Sequence, residues 1–357
     1  MSPGAEMKIS AALSFLPLLL LLFAASGASA LIYEIVWYQL LALAIGASAI
    51  SLAFLLATFM GGLCLGSLLF PRLFPVTSDK HNANRLPQRG EAGVPELGSD
   101  TPGGGLLHPL RLYAVIEALI GLLGLLELVL IPLIGRAYLA GPQAGFAGIL
   151  LRGVVAAICL LPPTLLMGAS LPAIARWIKS EGRGVSWWSL LYGANTLGAV
   201  TGCLIAGFFL LRIYDVNVVT FTAAGLNFGV AAISVLLAGR TPARVFVADQ
   251  IGGETAAAPA SVAAWTIYAT IALSGAVALG AEVVWTRLMG LMLGATVYVF
   301  SLILAVFLAG LALGTWAASS LARAECPRRA RLVPNAGRRR NCLDRLRHLR
   351  STSVLAG

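Results

Sequence analysis

The sequence predicts an all-α, polytopic membrane protein of about eight transmembrane helices, in which helices 1 and 2 recur as helices 7 and 8. Three observations predict it. Hydrophobic residues make up 59% of the 357 positions, charged residues only 11%, and mean hydropathy is +0.88, far from the range of soluble domains. Apolar runs of the roughly 20 residues needed to cross a bilayer occur eight times, at about 10–42, 48–70, 111–135, 148–175, 187–211, 216–238, 264–290 and 296–320. The third observation is an internal repeat. Ser26-Gly27-Ala28-Ser29-Ala30-Leu31-Ile32-Tyr33-Glu34-Ile35-Val36-Trp37 returns as Ser274-Gly275-Ala276-Val277-Ala278-Leu279-Gly280-Ala281-Glu282-Val283-Val284-Trp285, at a constant offset of 248 residues. The register continues through Gly46-Ala47 and Gly294-Ala295, then through Phe59, Gly62 and Gly66 against Phe307, Gly310 and Gly314. Membrane segments duplicated in the same order are the building plan of many secondary transporters.

The elements follow in order. Lys8, the apolar stretch Ile9–Ala25 and Ala28-Ser29-Ala30 fit the pattern of a cleavable signal peptide. The recurrence of the same small residues at 274–279, where no peptidase acts, reads instead as helix contact, so the first helix is expected to be retained. The second span contains Gly62-x-x-x-Gly66, the fifth Gly198-x-x-x-Gly202 and the eighth Gly310-x-x-x-Gly314, spacings that let helix backbones approach closely. Connector 71–110, rich in Pro, Gly, Asn and Asp, reads as a mobile loop. Pro162, Pro163 and Pro172 are expected to break the fourth helix twice and to kink it beside a pathway, since freed carbonyls at membrane depth need protein or water. The expected domains are 1–238 as a first six-helix half, 239–263 as a flexible linker, 264–322 as the first two helices of a second half, and 323–357 as a basic tail.

Charge is unevenly placed. The net charge of +10 contains ten Arg in the last 35 residues, against only Glu325 and Asp344 there. Because the apolar, glycine-spaced pattern stops after Arg323, this tail is expected to be disordered or the product of a shifted reading frame, and no nucleic-acid partner is predicted from it. In the rest of the chain, eleven Lys/Arg fall on one set of alternate loops and four (Arg136, Arg152, Arg212 and Arg287) on the other, which places both termini in the cytoplasm. The five cysteines show no metal or redox spacing, and the three histidines are scattered, so no metal site is expected.

Carboxylates carry the chemical signal. An ionisable group inside a span is costly and marks a cavity or a partner. Glu117 and Glu127 in the third span are ten residues apart, about 80° around a helix, so both could border one cavity and couple to a proton or cation. The plainer reading makes them polar anchors bonded to neighbouring helices. Glu34 and Glu282 are equivalent by the repeat. Trp265 and Trp285, taken as the two aromatic belts, place Glu282 just inside the outer one, where capping a hairpin or pairing with Arg287 competes with a gating role. Asn195, among small residues of the fifth span, either joins two helices or contacts solute, the former being the expectation.

Together the two Ser-Gly-Ala-x-Ala-Leu copies with their Glu and Val-Trp, Leu161-Pro162-Pro163-Thr164-Leu165-Leu166-Met167-Gly168-Ala169, and Leu191-Tyr192-Gly193-Ala194-Asn195-Thr196-Leu197-Gly198-Ala199 carry a resemblance. Over roughly 10–322 the chain resembles bacterial membrane proteins in which a major-facilitator-like helical domain is fused to a spermidine-synthase-like domain. The resemblance implies a bacterial inner-membrane location and, after the helices, an aminopropyltransferase module with a glycine-rich cosubstrate loop and catalytic aspartates. This chain departs there. Its glycine cluster, Gly103-Gly104-Gly105, lies in a Pro-rich loop with no preceding strand, so no cofactor, catalytic residue or enzymatic activity is predicted for it. Two functions stay open. One is a transporter of a small cationic solute such as a polyamine, with Glu117, Glu127, Asn195, Glu34 and Glu282 as pathway candidates. The other is the membrane anchor of an aminopropyltransferase-like domain or subunit, truncated before it.

Overall fold

The computed structural model describes residues 3–46, 49–74, 108–139, 141, 145–178, 184–240, 261–294 and 296–332, and every regular element among them is helical. The helices are α1 (Pro3–Ile45), α2 (Ala49–Leu73), α3 (Pro109–Leu139), α4 (Gly145–Ile178) and α5 (Gly184–Ile205). A π-helical turn (Ala206–Leu210) and a closing helical turn (Leu211–Ile213) extend α5. Then come α6 (Val216–Arg240), α7 (Ser261–Leu293) and α8 (Val297–Leu332). Eight stretches are long and apolar enough to cross a membrane: Pro17–Ile45, Ala49–Leu73, Pro109–Arg136, Gly145–Ile174, Leu190–Ile213, Val216–Arg240, Trp265–Leu293 and Val297–Gly314. The chain is a multi-pass membrane protein by this architecture. The connector within 75–107, the linker within 241–260 and the tail from 333 onward lie outside the described residues.

Hydrophobicity that runs all round a helix needs lipid on one side and protein on the other. Leu19, Phe23, Trp37, Leu55, Leu56, Tyr113 and Ile120 are buried, whereas Leu21, Leu43, Leu68, Leu122 and Val129 point outward. α1 packs along α5 and α6, α2 along α4, and α3 along α4 and α6. Aromatic contacts tie α1 to its neighbours: Phe23 meets Tyr113 of α3, Trp37 meets Phe59 of α2, and Tyr38 stacks on Phe300 of α8 with ring centroids 4.3 Å apart.

Glycine sets the closest approaches. A Cβ at Gly62 would overlap Thr164 of α4, and one at Gly66 would overlap the Leu165 carbonyl. Across the bundle, Gly198 and Gly202 of α5 lie directly on Ala24 and Ala28 of α1. The small residues flagged in these spans therefore mark helix contacts, as expected of backbones held together by packing in lipid. Gly46 and Gly294, equivalent in the repeat, close the α1–α2 and α7–α8 turns with φ of +91° and +92°, a region open to Gly and strained for other residues. α6 begins where Asp215 receives the Val218 N–H at 3.3 Å, and it carries Arg240 in its last turn, where a cation suits the helix dipole.

One compact unit runs from Met1 to Leu308, past the expected joint at 239–263, because Phe300 and Ser301 of α8 pack onto α1 and α5. The other unit is Ala309–Gly357, whose described part is helical to Leu332, further than the abrupt end of the apolar pattern suggested.

Candidate functional site

Glu117 is fully buried in α3, and its hydrogen-bond partners come from other helices. Ser26 of α1 donates to Glu117 Oε1 at 2.6 Å, and Asn227 Nδ2 of α6 donates to Oε2 at 2.9 Å. Tyr113, one turn earlier on α3, stands beside the same carboxylate and Ser26, but its hydroxyl falls outside hydrogen-bonding geometry. Tyr33 of α1 completes the wall, in a space that exists because residue 124 is Gly; a Cβ there would overlap the Tyr33 ring. Ser26, Tyr113 and Asn227 were not among the expected site residues. For Asn227 a signal was present: it is an amide in the middle of the mostly apolar sixth span, the same kind of signal that singled out Asn195.

Glu127 is buried too, with one oxygen lacking a partner, and it faces Cys159 of α4. The two α3 carboxylates thus have different neighbours. Glu117 addresses α1 and α6, Glu127 addresses α4, and their ten-residue separation amounts to about 15 Å along the axis. Asn195 lies against Gly27 of α1, where its backbone carbonyl and side-chain oxygen would both be struck by a Cβ. That is the geometry of an α1–α5 contact.

The prolines do not interrupt α4, which stays helical from Gly145 to Ile178. Thr164, just after the two prolines, donates its hydroxyl to the Leu160 carbonyl at 2.6 Å. The expected pair of breaks is replaced by a continuous helix.

Glu34 and Glu282 come together. Both are fully buried, and Glu34 lies within Coulombic reach of Glu282. Neither oxygen of either side chain has a hydrogen-bond partner, so Glu282 is neither a hairpin cap nor bonded to Arg287. Because its span runs from Trp265 to Leu293, Glu282 stands three residues past the centre, about 4.5 Å along the axis. α7 continues about two turns beyond Trp285, the residue taken as the outer belt. Cys203 of α5 senses both carboxylates, and its thiol donates to the Ser301 carbonyl of α8 at 3.1 Å. One helical turn beyond the pair, a cavity of about 100 Å³ is lined by Tyr38, Thr286, Arg287, Thr296 and Phe300, among others.

Comparison with models of known protein families, with curated proteins and with solved structures returns no match.

Proposed function

We propose that this chain is a transporter-like membrane protein that moves a small cationic solute. One observation carries the reading. Four carboxylates, Glu34, Glu117, Glu127 and Glu282, are buried in an apolar helical body, and among the described residues none is paired with Lys, Arg or His. Uncompensated charge of this kind is expensive in a low-dielectric interior and marks pathways for ions and cationic solutes. Polyamine as the solute class rests on the resemblance to fused major-facilitator-like and spermidine-synthase-like proteins. A cytoplasmic location of both termini belongs to the same proposal and rests on the Lys/Arg asymmetry of the loops. Reporters fused within 71–110 and 239–263 should both report cytoplasm, and a periplasmic signal from either would reject the orientation.

The anchor reading has one observation in its favour. Both oxygens of Glu117 are taken by Ser26 and Asn227, which is what a polar staple between α1, α3 and α6 requires. Uptake separates the two. Sealed vesicles containing the protein should accumulate a labelled polyamine when a proton or sodium gradient is imposed. Vesicles that take up none of the polyamines under either gradient reject the solute and leave the anchor reading in its place.

A further inference from the structure

The Glu34–Glu282 pair is unlike the other buried carboxylates, because it has no donor at all. Its four oxygens are buried and unbonded, and Glu34 lies within Coulombic reach of Glu282 on another helix. Hydroxyls nearby are also unspent. Thr286 Oγ1 stands one turn after Glu282 on the same face, and Ser301 Oγ belongs to the residue whose carbonyl holds Cys203; both are buried without partners. Two carboxylates in this setting cannot both stay charged and bare, since desolvation and mutual repulsion act in the same direction. Asn and Ser partners of the kind that hold Glu117 are missing among the described residues, so the pair lacks neutral donors.

We infer that Glu34 and Glu282, one from each copy of the repeat and each one turn before a residue that lines a shared cavity of α1 and α7, form a site for a single exchangeable positive charge, carried as a proton or as Na⁺. Cys203 from α5 lies within Coulombic reach of both carboxylates, and the unpartnered hydroxyl of Thr286 stands one turn after Glu282 on α7. Access is built in. The 100 Å³ cavity lined by Tyr38 and Thr286 begins one turn from each carboxylate, since Tyr38 follows Glu34 by four residues and Thr286 follows Glu282 by four. Arg287 on the cavity wall, close to Tyr38, gives the vestibule a positive charge that disfavours a resident cation outside the pair. The charge is thus directed to the carboxylates themselves. Oxygen-only donors favour a hard cation or a proton over a thiophilic metal.

The site is testable without any transport assay. Infrared spectra would be taken of the full chain in lipid, perfused alternately at mildly acidic and alkaline pH, and with Na⁺ exchanged for choline at constant ionic strength. A carboxylic-acid carbonyl band equivalent to a single carboxyl should change in these exchanges. It should be lost in both Glu34→Gln and Glu282→Gln, and retained in Glu127→Gln. Response to pH alone identifies the proton as the carrier, whereas suppression by Na⁺ at fixed pH identifies Na⁺. Glu34→Asp, which keeps the acid, should keep a shifted band and so guards against a folding artefact in the Gln variant. A band that persists in either Gln variant, or a wild-type spectrum that responds to neither pH nor Na⁺, overturns the assignment.

Discussion

Glu117→Gln and Glu127→Gln should each reduce gradient-driven polyamine accumulation to the level of empty vesicles, while folded protein remains in the membrane at wild-type amounts. The structure explains why the fold should survive. Gln at 117 keeps an oxygen to accept from Ser26, and its new amide can donate to Asn227 Oδ1, which is buried and has no partner, once the Asn227 amide turns over. Only the charge is removed. Glu117→Leu is the contrasting variant, because it strands the Ser26 hydroxyl and the Asn227 amide, each at a cost of about 1–3 kcal/mol for an unmet buried polar group. It should lower the amount of folded protein as well as uptake. At 127, Gln replaces a carboxylate that has one oxygen already unpartnered, so packing against α4 changes little. Uptake by both Gln variants at the wild-type rate would make these carboxylates structural and would remove the pathway role assigned to them.

Gly66→Leu should prevent assembly of the α2–α4 contact, whereas Gly61→Leu, five residues away on the same helix, should be harmless. At Gly66 even a Cβ would run into the Leu165 backbone, which belongs to the middle of α4 and cannot step aside; at Gly61 there is no neighbour within 4 Å. Overpacking ordinarily costs about 1–3 kcal/mol, and a clash with backbone belongs at or above the top of that range. Leu is also the better helix former by about 0.8 kcal/mol or more, so any loss at 66 cannot come from propensity. Thermal unfolding of detergent-solubilised protein reads the difference directly. Equal midpoints for the two variants would mean that α2 and α4 are not held together at this position.

The spans were legible because membrane helices are selected by length and apolarity, both of which a sequence displays. The expected 48–70 and 216–238 correspond to Ala49–Leu73 and Val216–Arg240. Helix contacts were legible at Gly62, Gly66, Gly198 and Gly202, since the absence of a side chain leaves close approach as its main use. The candidate site was legible in part. Buried carboxylates announce themselves by their cost, but their partners do not: Ser26 and Asn227 are 91 and 110 residues from Glu117, and no local pattern joins them. The meeting of Glu34 with Glu282 is likewise a matter of how α7 packs, which equivalence in a repeat does not dictate. Prolines misled in the opposite direction. Pro162 and Pro163 read as a break, yet α4 runs through both, because a proline removes one N–H donor without forcing the neighbouring turns out of helical geometry.

The π-helical turn at Ala206–Leu210 has a consequence for how this chain can change length. Such a turn is an α-helix holding one surplus residue, and here it puts Ala206, Gly207 and Leu210 inward while Phe208 and Phe209 face out. Elsewhere in α5, loss of one residue rotates everything beyond it by about 100° and would tear Gly198 or Gly202 from α1. At Phe209 the surplus can be shed: the bulge collapses to regular helix, the contacts upstream keep their register, and only the short end at Leu211–Ile213 has to readjust. A single-residue deletion in this span therefore has a natural locus, a reserve of one residue placed just after the segment whose register the fold depends on most.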